Sequence, residues 1–460
     1  MAEDDELAAV ARALEQSATA YWTSILGDPL VAVHGDSDNG FLYRPGELLV
    51  DESPERRSAD DRAAVEAYIE SYGGRRRPPE RPTGTGTEAD ADVVPDPLQD
   101  LGIARFDLPL DIDVPMVSFD LRARYDAEEL RERSNVGVDV DAPGFNRREA
   151  AARMRNGKVI TPVASPNHVL PSSQHWTFGP CGLPKVAPPP ELPTSMMDAG
   201  QGVVIAVLDS GWSPNSSPLL TGHRSGPDEL DLDVVPRAGA IRSYHGGHGT
   251  FVAGMIRQAA PCATIHAIRT LDRGLTDDAE LAADLQHARA TIPGLRIVNL
   301  SLGGPTQNGW SCPALSKAIQ ALRDDGVLVV AAAGNDGSTT PFYPAAYWDD
   351  DPDLFGNVVG VGALGTGTRA ASFSNHGPWV RACAPGVGLV STYPHGRLHT
   401  STGYLDFAGW AKWSGTSFAA PHVTGRIAAA MTDSAGTASD VLARFKRDGR
   451  QVDGLGVVIL

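Results

Sequence analysis

The stretch that decides the fold is Val203-Val-Ile-Ala-Val-Leu208, which runs directly into Asp209-Ser-Gly211. A short apolar run that ends on a polar turn is typical of a strand buried on both faces of a parallel sheet. Four similar runs follow, at residues 263–268, 297–300, 327–333 and 358–361. Segments with helical spacing lie between them, at residues 249–259, 277–290 and 313–325. This alternation predicts an α/β domain in which helices flank a parallel β-sheet.

The composition is that of an ordinary globular protein and excludes several classes. The 460 residues, 42% of them apolar, allow two or three domains with full hydrophobic cores. Acidic residues number 57 against 39 basic ones, and the net charge of −18 disfavours nucleic acid as a partner. No stretch approaches the roughly 20 apolar residues of a membrane-spanning helix, so no membrane partner is expected. The four cysteines lack CxxC spacing, which disfavours a disulfide scaffold or a zinc site.

The remaining chain divides into four predicted parts. Residues 1–40 contain a helical segment, residues 41–170 an α+β domain, and residues 171–198 an extended, proline-rich linker. The α/β domain then spans residues 199–435, and residues 436–460 are predicted to be a C-terminal tail, whose closing run 454–460 is either a strand or part of the tail. The acidic N-terminus has no apolar stretch after it, which predicts a cytoplasmic protein, or a secreted one if a signal peptide has been removed.

Within the α+β domain the pattern predicts strands, helices and one flexible insertion. Residues 46–50 are predicted to form a strand. Val65, Tyr68, Ile69 and Tyr72 have the spacing of one helix face. Residues 73–98 begin with a stretch too rich in Gly, Pro and charge to pack, which predicts a flexible insertion that exposes Arg75–Arg77. The other predicted elements are a strand over 117–122, helices near 127–133 and 146–155, and a strand over 158–163.

Polar residues follow three of the predicted parallel strands. Asp209 follows the first, Ser301-Leu-Gly-Gly304 ends the third, and Asn335 lies just beyond the fourth. Because the carboxyl ends of parallel strands meet at one edge, functional groups are expected there. Each segment taken alone is equally typical of a turn.

Two further polar residues open predicted helices. His248 lies in Gly247-His-Gly-Thr-Phe-Val-Ala-Gly254, where the small neighbours allow another group to approach closely. Ser417 lies near the start of an apolar helix, where unpaired amides favour developing negative charge. The alternative interpretation is that Ser417 or Thr416 is only a helix N-cap.

Read together, these segments resemble the signature blocks of the subtilisin-like serine peptidases, the subtilases. The blocks around the family's Asp, His and Ser correspond to residues 209–211, 248–254 and 415–423. Two further blocks correspond to residues 299–304 and 331–335. The resemblance covers roughly residues 198–432, and the chain order Asp, His, Ser is that of subtilisin.

The resemblance implies a subtilisin-like catalytic domain and a role for each residue. Asp209, His248 and Ser417 correspond to the catalytic triad, and Asn335 to the oxyanion-binding residue. The substrate-binding residues by the same alignment are Ser301, Leu302, Gly303, Gly334 and Phe342. Phe342 falls at the base of the pocket for the side chain preceding the scissile bond, where many relatives have a small residue. We therefore expect a shortened pocket, with Asp336 near its mouth favouring a basic or polar group.

The resemblance also implies partners. The substrate is a protein or peptide, hydrolysed through an acyl-enzyme intermediate. Residues 41–170 are similar to a propeptide, which makes this domain a candidate intramolecular inhibitor, with a permanently docked domain as the alternative. No cofactor is expected: calcium is common in the family, but the acidic cluster at 228–233 lacks ligand spacing. The alternative function is an inactive relative that binds peptides, which the intact triad and Asn335 disfavour.

Overall fold

The computed structural model describes residues 31–34, 40–78, 97–126, 162–172, 181–191, 198–213, 216, 219, 230–235, 239–243, 245–367, 369–400, 403–432 and 436–460. The chain divides into two compact units. The first unit comprises residues 1–169, 277–287 and 305–318, and the second comprises residues 170–276, 288–304 and 319–460. Among the described helices, none is long and apolar enough to cross a membrane.

An antiparallel sheet and its helices organise the first unit. The strands run in the order β5-β2-β4-β3, and β1 pairs with β2. Leu48 and Phe106 from the sheet pack with Ile69 and Val117 from two helices in one core. The elements are β1 (Ala32–His34), β2 (Phe41–Asp51), α1 (Ala59–Ser71), β3 (Arg75–Arg76), α2 (Pro97–Asp100), β4 (Ile103–Asp107), α3 (Val114–Tyr125) and β5 (Ala164–Pro171).

The first unit confirms two predicted elements and corrects a third. The strand over 46–50 lies within β2, and the helix face that includes Val65 and Ile69 lies on α1. Residues 117–122, predicted as a strand, are part of α3 instead. The side chain of Asp113 accepts the Met116 N–H at 3.2 Å and begins this helix. Six alternating residues are too few to exclude a helix, and both of their faces are buried here.

The start of the predicted flexible insertion is ordered. Arg75 and Arg76 form β3, and the Arg76 guanidinium donates to Glu52 at 2.7 Å and to Glu66 at 3.1 Å. Opposite charges on neighbouring elements thus hold Arg76, whereas the exposure predicted for Arg75 and Arg76 is confirmed. Most of the segment predicted as helical over 1–40 lies outside the described residues, and its described residues 32–34 form β1, which is a strand and not a helix. The predicted helices over 127–133 and 146–155, residues 158–161 of the predicted strand over 158–163, and most of the insertion also lie outside the described residues, and residues 162 and 163 precede β5.

The second unit contains the predicted parallel sheet. Its order is β10-β7-β12-β13-β14-β15-β19-β18, and every neighbouring pair is parallel except β18 with β19. A smaller sheet has the order β6-β17-β16-β9-β8. The remaining strands are β6 (Lys185–Val186), β7 (Val204–Asp209), β8 (Val234–Val235), β9 (Ala240–Ile241), β10 (Thr264–Arg269), β11 (Leu275–Asp277), β12 (Leu295–Leu300), β13 (Leu328–Ala332), β14 (Val358–Leu364), β15 (Val380–Pro385), β16 (Leu389–Thr400), β17 (Gly403–Trp413), β18 (Gln451–Val452) and β19 (Gly456–Val458). The remaining helices are α4 (His248–Ala259), α5 (Asp278–Thr291), α6 (Pro313–Asp324), α7 (Tyr347–Asp350), α8 (Thr416–Met431) and α9 (Ala438–Asp448).

The five strands and three helices predicted for this domain are present at nearly the predicted positions. The central strands are buried because α8 packs on β13, β14 and β15, and α4 packs on β7. The predicted C-terminal tail is wrong, however. Residues 438–448 form α9, which Thr437 caps by accepting the Asp440 N–H at 3.2 Å, and β19 pairs with β15 through Val457.

Candidate active site

Three of the predicted site residues lie at one edge of the large sheet. Asp209 is the last residue of β7, Ser301 directly follows β12, and Asn335 follows β13 by three residues. These strands are parallel neighbours, so their carboxyl ends open at the same edge. The expectation that these segments converge is confirmed, and the turn-only interpretation does not explain their contacts.

His248 is bound to Asp209 in the interior of the second unit. The Nδ1 atom of His248 lies 2.7 Å from Oδ1 of Asp209, and both side chains are fully buried. Because a carboxylate only accepts, Nδ1 carries the proton and Nε2 keeps its lone pair. Among the described residues, no group donates a hydrogen bond to Nε2 or accepts one from it. The arrangement leaves Nε2 able to accept a proton.

A close approach explains the glycine that follows His248. A Cβ atom at Gly249 would lie 2.2 Å from the carbonyl oxygen of Gly211 and 3.2 Å from Asp209 Oδ1. Any side chain at this position would push α4 away from the carboxylate. Gly249 therefore allows the close approach that the sequence predicts for the small neighbours of His248.

Ser417 is the second residue of α8. Its hydroxyl donates to the carbonyl oxygen of Ser301 at 3.4 Å, and its carbonyl accepts the Ser301 hydroxyl at 2.8 Å. The ring of the next residue, Phe418, lies 5.4 Å from the imidazole of His248 between ring centres. The N-cap of α8 is Gly415, so neither Ser417 nor Thr416 caps this helix, and that alternative is wrong.

Thr416 fixes the orientation of the Asn335 carboxamide. The Asn335 Oδ1 atom accepts both the Thr416 N–H at 2.9 Å and the Thr416 hydroxyl at 3.0 Å. The same hydroxyl accepts the Gly334 N–H at 3.1 Å, so its own proton goes to Asn335. With both partners donating, the carboxamide oxygen faces Thr416 and the Nδ2 donor faces the other way. Sequence reasoning found Asn335 but missed Thr416, which supports it.

Phe342 fills the space between two glycines of the predicted substrate-binding residues. A Cβ atom at Gly303 would lie 2.5 Å from the Phe342 ring, and one at Gly334 would lie 2.9 Å from it. Phe342 is held there because Gly304 and the adjacent Tyr343 exchange backbone hydrogen bonds at 2.8 and 2.9 Å. Phe342 is almost fully buried, as are Ser301, Leu302, Gly303 and Gly334. The ring therefore occupies volume that a smaller residue would leave open.

A segment that sequence reasoning treated as linker lies beside these residues. Ser172 pairs with Leu302 in an antiparallel bridge, and Gly303 donates its N–H to the Pro171 carbonyl at 3.0 Å. On the other side, Ser172 donates its N–H to the Gly274 carbonyl at 2.8 Å. This segment is thus extended between two backbone edges, which is the geometry of a peptide that adds to a sheet.

The comparisons with known proteins agree with this geometry. The profile of the subtilase family, Peptidase S8, matches residues 200–443. The chain belongs to the subtilase family. Thermitase from Thermoactinomyces vulgaris is 33% identical over 268 residues, which cover 56% of this subtilase and 84% of thermitase. The thermophilic serine proteinase of Bacillus sp. (strain AK1) is 30% identical over 326 residues, covering 67% of this chain and 72% of that protein.

A solved structure shares the fold of this subtilase. Fervidolysin from Fervidobacterium pennivorans, described as a keratinolytic enzyme related to subtilisin, matches with a TM-score of 0.55 and 18% identity. The match covers 91% of this chain and 60% of the fervidolysin chain. The predicted family, the subtilisin-like α/β fold and the class, a serine endopeptidase and hence a hydrolase, are confirmed.

Metal binding was considered because calcium is common among subtilases. Within the described parts of the chain, no group of three or more His, Cys, Asp or Glu side chains is arranged to hold an ion. Of the predicted acidic cluster, residues 228 and 229 lie outside the described residues. Asp231 and Asp233 are engaged in hydrogen bonds within the protein.

Proposed function

We propose that this subtilase hydrolyses peptide bonds with Ser417 as nucleophile, His248 as general base and Asp209 as the group that orients His248. The observation that carries the proposal is the buried bond from His248 Nδ1 to Asp209, which leaves Nε2 as an acceptor close to the start of α8. A serine hydroxyl is a poor nucleophile at neutral pH and needs such a base.

The reaction follows from these positions. Ser417 Oγ forms a bond to the scissile carbonyl carbon while its proton passes to His248 Nε2. The resulting oxyanion is stabilised by Asn335 Nδ2 and by the Ser417 backbone N–H at the start of α8. Collapse breaks the C–N bond, and His248 delivers the proton to the leaving amine. Water then attacks the acyl-enzyme carbonyl while its proton passes to His248, and His248 returns that proton to Ser417 Oγ as the ester bond breaks.

Steady-state hydrolysis of a peptide substrate tests this proposal. We expect Ser417→Ala and His248→Ala each to abolish turnover while the fold, measured by circular dichroism, is retained. Peptide binding without hydrolysis by the wild-type chain, after removal of any inhibitory segment, would instead support the inactive peptide-binding relative.

We propose that Phe342 restricts the residue preceding the scissile bond to small or polar side chains. Support comes from the ring between Gly303 and Gly334, and from the exposed Asp336, whose N–H is held by Asn375 at 2.9 Å. Each methylene-sized group that a substrate buries in such a pocket is worth about 1–3 kcal/mol of discrimination between substrates. Removing the ring should therefore favour substrates with larger side chains before the scissile bond. A peptide library should show Phe342→Ala gaining cleavage after large aromatics. Wild-type cleavage that is best after large aromatics would contradict the proposal.

We propose that the N-terminal domain regulates the site. The proposal is supported by contacts inside the first unit, where the N-terminal chain packs on residues 305–318 of the family-matched region. The Arg122 guanidinium donates to the Ser311 carbonyl at 3.0 Å and lies 4.4 Å over the Trp310 ring. Lys317 Nζ lies 2.6 Å from Asp51. Pro171 and Ser172 then lie against Gly303 and Leu302 in the second unit, as a substrate strand would.

The register suggests which bond is cut. Ser172 lies opposite Leu302, and Leu302 follows Ser301, whose carbonyl lies 3.4 Å from Ser417 Oγ. We therefore expect self-cleavage at a bond shortly after Ser172. Mass spectrometry should find this cut in the wild type and an intact chain for Ser417→Ala.

A matched pair of variants tests the register. Ser172→Pro removes the N–H that donates to Gly274, so self-cleavage should slow, whereas Ser172→Ala keeps this N–H, loses only the hydroxyl contact with His245 Nδ1 at 3.0 Å, and should be cut faster than Ser172→Pro. A cut elsewhere in the wild type, or equal rates for the two variants, would contradict this assignment.

A further inference from the structure

The loop before α4 is anchored by a carboxylate that is distant in sequence. The Asp231 Oδ2 atom accepts the Gly247 N–H at 2.7 Å, and Oδ1 accepts the Asp233 N–H at 3.0 Å. Asp231 is only 4% exposed. The N-cap of α4 is Gly247, which has no side chain and provides no cap of its own. A carboxylate 16 residues earlier in the chain therefore binds the backbone that delivers His248.

Ser210 extends this anchor to the other side of His248. Its hydroxyl donates to Asp231 Oδ2 at 3.0 Å and accepts the Gly249 N–H at 3.0 Å. Gly249 lies in the first turn of α4, where N–H groups have no acceptor within the helix. Asp231 and Ser210 thus bind the N–H groups on both sides of His248, and they supply the capping that Gly247 lacks.

The same residue also holds the carboxylate partner of His248. The Ser210 N–H donates to Asp209 Oδ1 at 2.7 Å, the atom that binds His248 Nδ1 at 2.7 Å. Ser210 therefore positions the Asp209 carboxylate through its backbone N–H and positions α4 through its hydroxyl. A shift in either would change the geometry of the His248 to Asp209 bond.

We propose that Asp231 and Ser210 are positioning residues that hold His248 in line with Asp209 and with the nucleophile. This proposal depends on the role given above to His248 and adds two residues that do not touch the substrate. The Asp231 carboxylate acts through the Gly247 N–H and through Ser210, and the Ser210 hydroxyl acts through the Gly249 N–H.

The cost of keeping a carboxylate at this position supports a functional role. Burial, together with a smaller contribution from the nearby Asp233, raises the pKa of Asp231 to about 7, although its hydrogen bonds favour the charged form. Burial, and to a smaller extent Asp231 and Asp233, raise the pKa of Tyr393, whose hydroxyl donates to the Gly246 carbonyl at 2.7 Å. A buried charge that opposes folding is retained when function requires it.

The side chains at residues 210 and 231 can be changed with matched controls. Ser210→Ala removes the hydroxyl, and Ser210→Thr restores it. Asp231→Ala removes both oxygen acceptors, including the Oδ2 atom that binds the Gly247 N–H and the Ser210 hydroxyl. Asp233→Asn is the control, because it removes the neighbouring charge and still accepts the Ser243 hydroxyl, now held at 2.6 Å.

Kinetics on the full chain, once any self-cleavage is complete, should separate these variants. For Ser210→Ala and Asp231→Ala we expect kcat to fall by up to about 100-fold, the effect of misplacing a catalytic group by about 1 Å, while KM stays within about twofold. Ser210→Thr and Asp233→Asn should stay within about threefold of wild-type kcat. A Ser210→Ala variant with wild-type kcat, or one that Ser210→Thr does not rescue, would overturn the proposal.

A second measurement does not depend on activity. The proton between His248 Nδ1 and Asp209 should give a downfield NMR resonance, which Ser210→Ala should shift or broaden and Asp233→Asn should leave in place. An unchanged resonance in Ser210→Ala contradicts the positioning role. A wild type that shows the resonance but has no turnover contradicts the proposed function instead.

Discussion

Replacing Asn335 by Ala tests the oxyanion site most specifically, because the structure predicts graded effects for its neighbours. The substitution removes the Nδ2 donor that faces away from Thr416 and leaves the Thr416 N–H without the acceptor it now has at 2.9 Å. Loss of one oxyanion donor in subtilisin costs about 10²–10³ in kcat, and the same range is expected here. The donor acts on charge that develops in the transition state, so KM should change little.

Substitution of Thr416 should give a loss of kcat between that of wild type and that of Asn335→Ala in the same experiment. Thr416→Val removes the hydroxyl that donates to Asn335 and accepts from Gly334 but retains the backbone N–H that holds Oδ1. Losing about 1–2 kcal/mol of support for the carboxamide corresponds to roughly a 5- to 30-fold lower kcat. Thr416→Ser keeps the hydroxyl and should remain near wild type. The assay is steady-state hydrolysis of one peptide by all four proteins. A kcat for Asn335→Ala within a few-fold of wild type, or a loss confined to KM, would refute the reasoning.

Two predictions concern stability. Because the pKa of Asp231 is raised from 3.8 to about 7 in the folded protein, its protonated form favours folding, and the free energy of unfolding falls as pH rises between these values. Thermal unfolding should therefore show Asp231→Asn gaining stability relative to wild type between pH 5 and pH 8, and a constant difference across that range would count against the burial argument. Lys317→Met should lower the free energy of unfolding in urea by about 2 kcal/mol, because the buried Asp51 carboxylate loses the ammonium at 2.6 Å and keeps only the Arg56 guanidinium at 3.5 Å as a cation. The exposed Arg289–Asp325 pair is the control: Arg289→Met should change stability by less than about 1 kcal/mol, and equal losses for the two variants would contradict the distinction.

The catalytic unit was predictable because each of its elements has a local signal. Val203–Leu208 is apolar enough to be a buried strand in most contexts, and Gly249 beside His248 lies where only a missing side chain permits a close approach. The site residues at the strand ends follow from the rule that parallel strands open at one edge.

The errors have identifiable physical causes. The alternation at 117–122 covers only six residues, and Asp113 is the N-cap of a longer helix that includes all of them. The C-terminal segment also has a local helix signal, the capping box of Thr437 and Asp440, which the prediction of a tail did not take into account. Sequence patterns are weakest where function depends on contacts between distant residues. Asp231 looked like part of a solvated acidic cluster, and Pro171 looked like linker, because the groups that bind them lie far along the chain.

The central claim is that Asp209 and His248 activate Ser417, and covalent labelling tests it most directly. A fluorophosphonate probe should add one adduct to the wild-type chain, and peptide mapping should place it on Ser417. Ser417→Ala should take up no probe, and His248→Ala should react far more slowly. Labelling at another residue, or labelling of Ser417 at an unchanged rate in His248→Ala, would contradict the account.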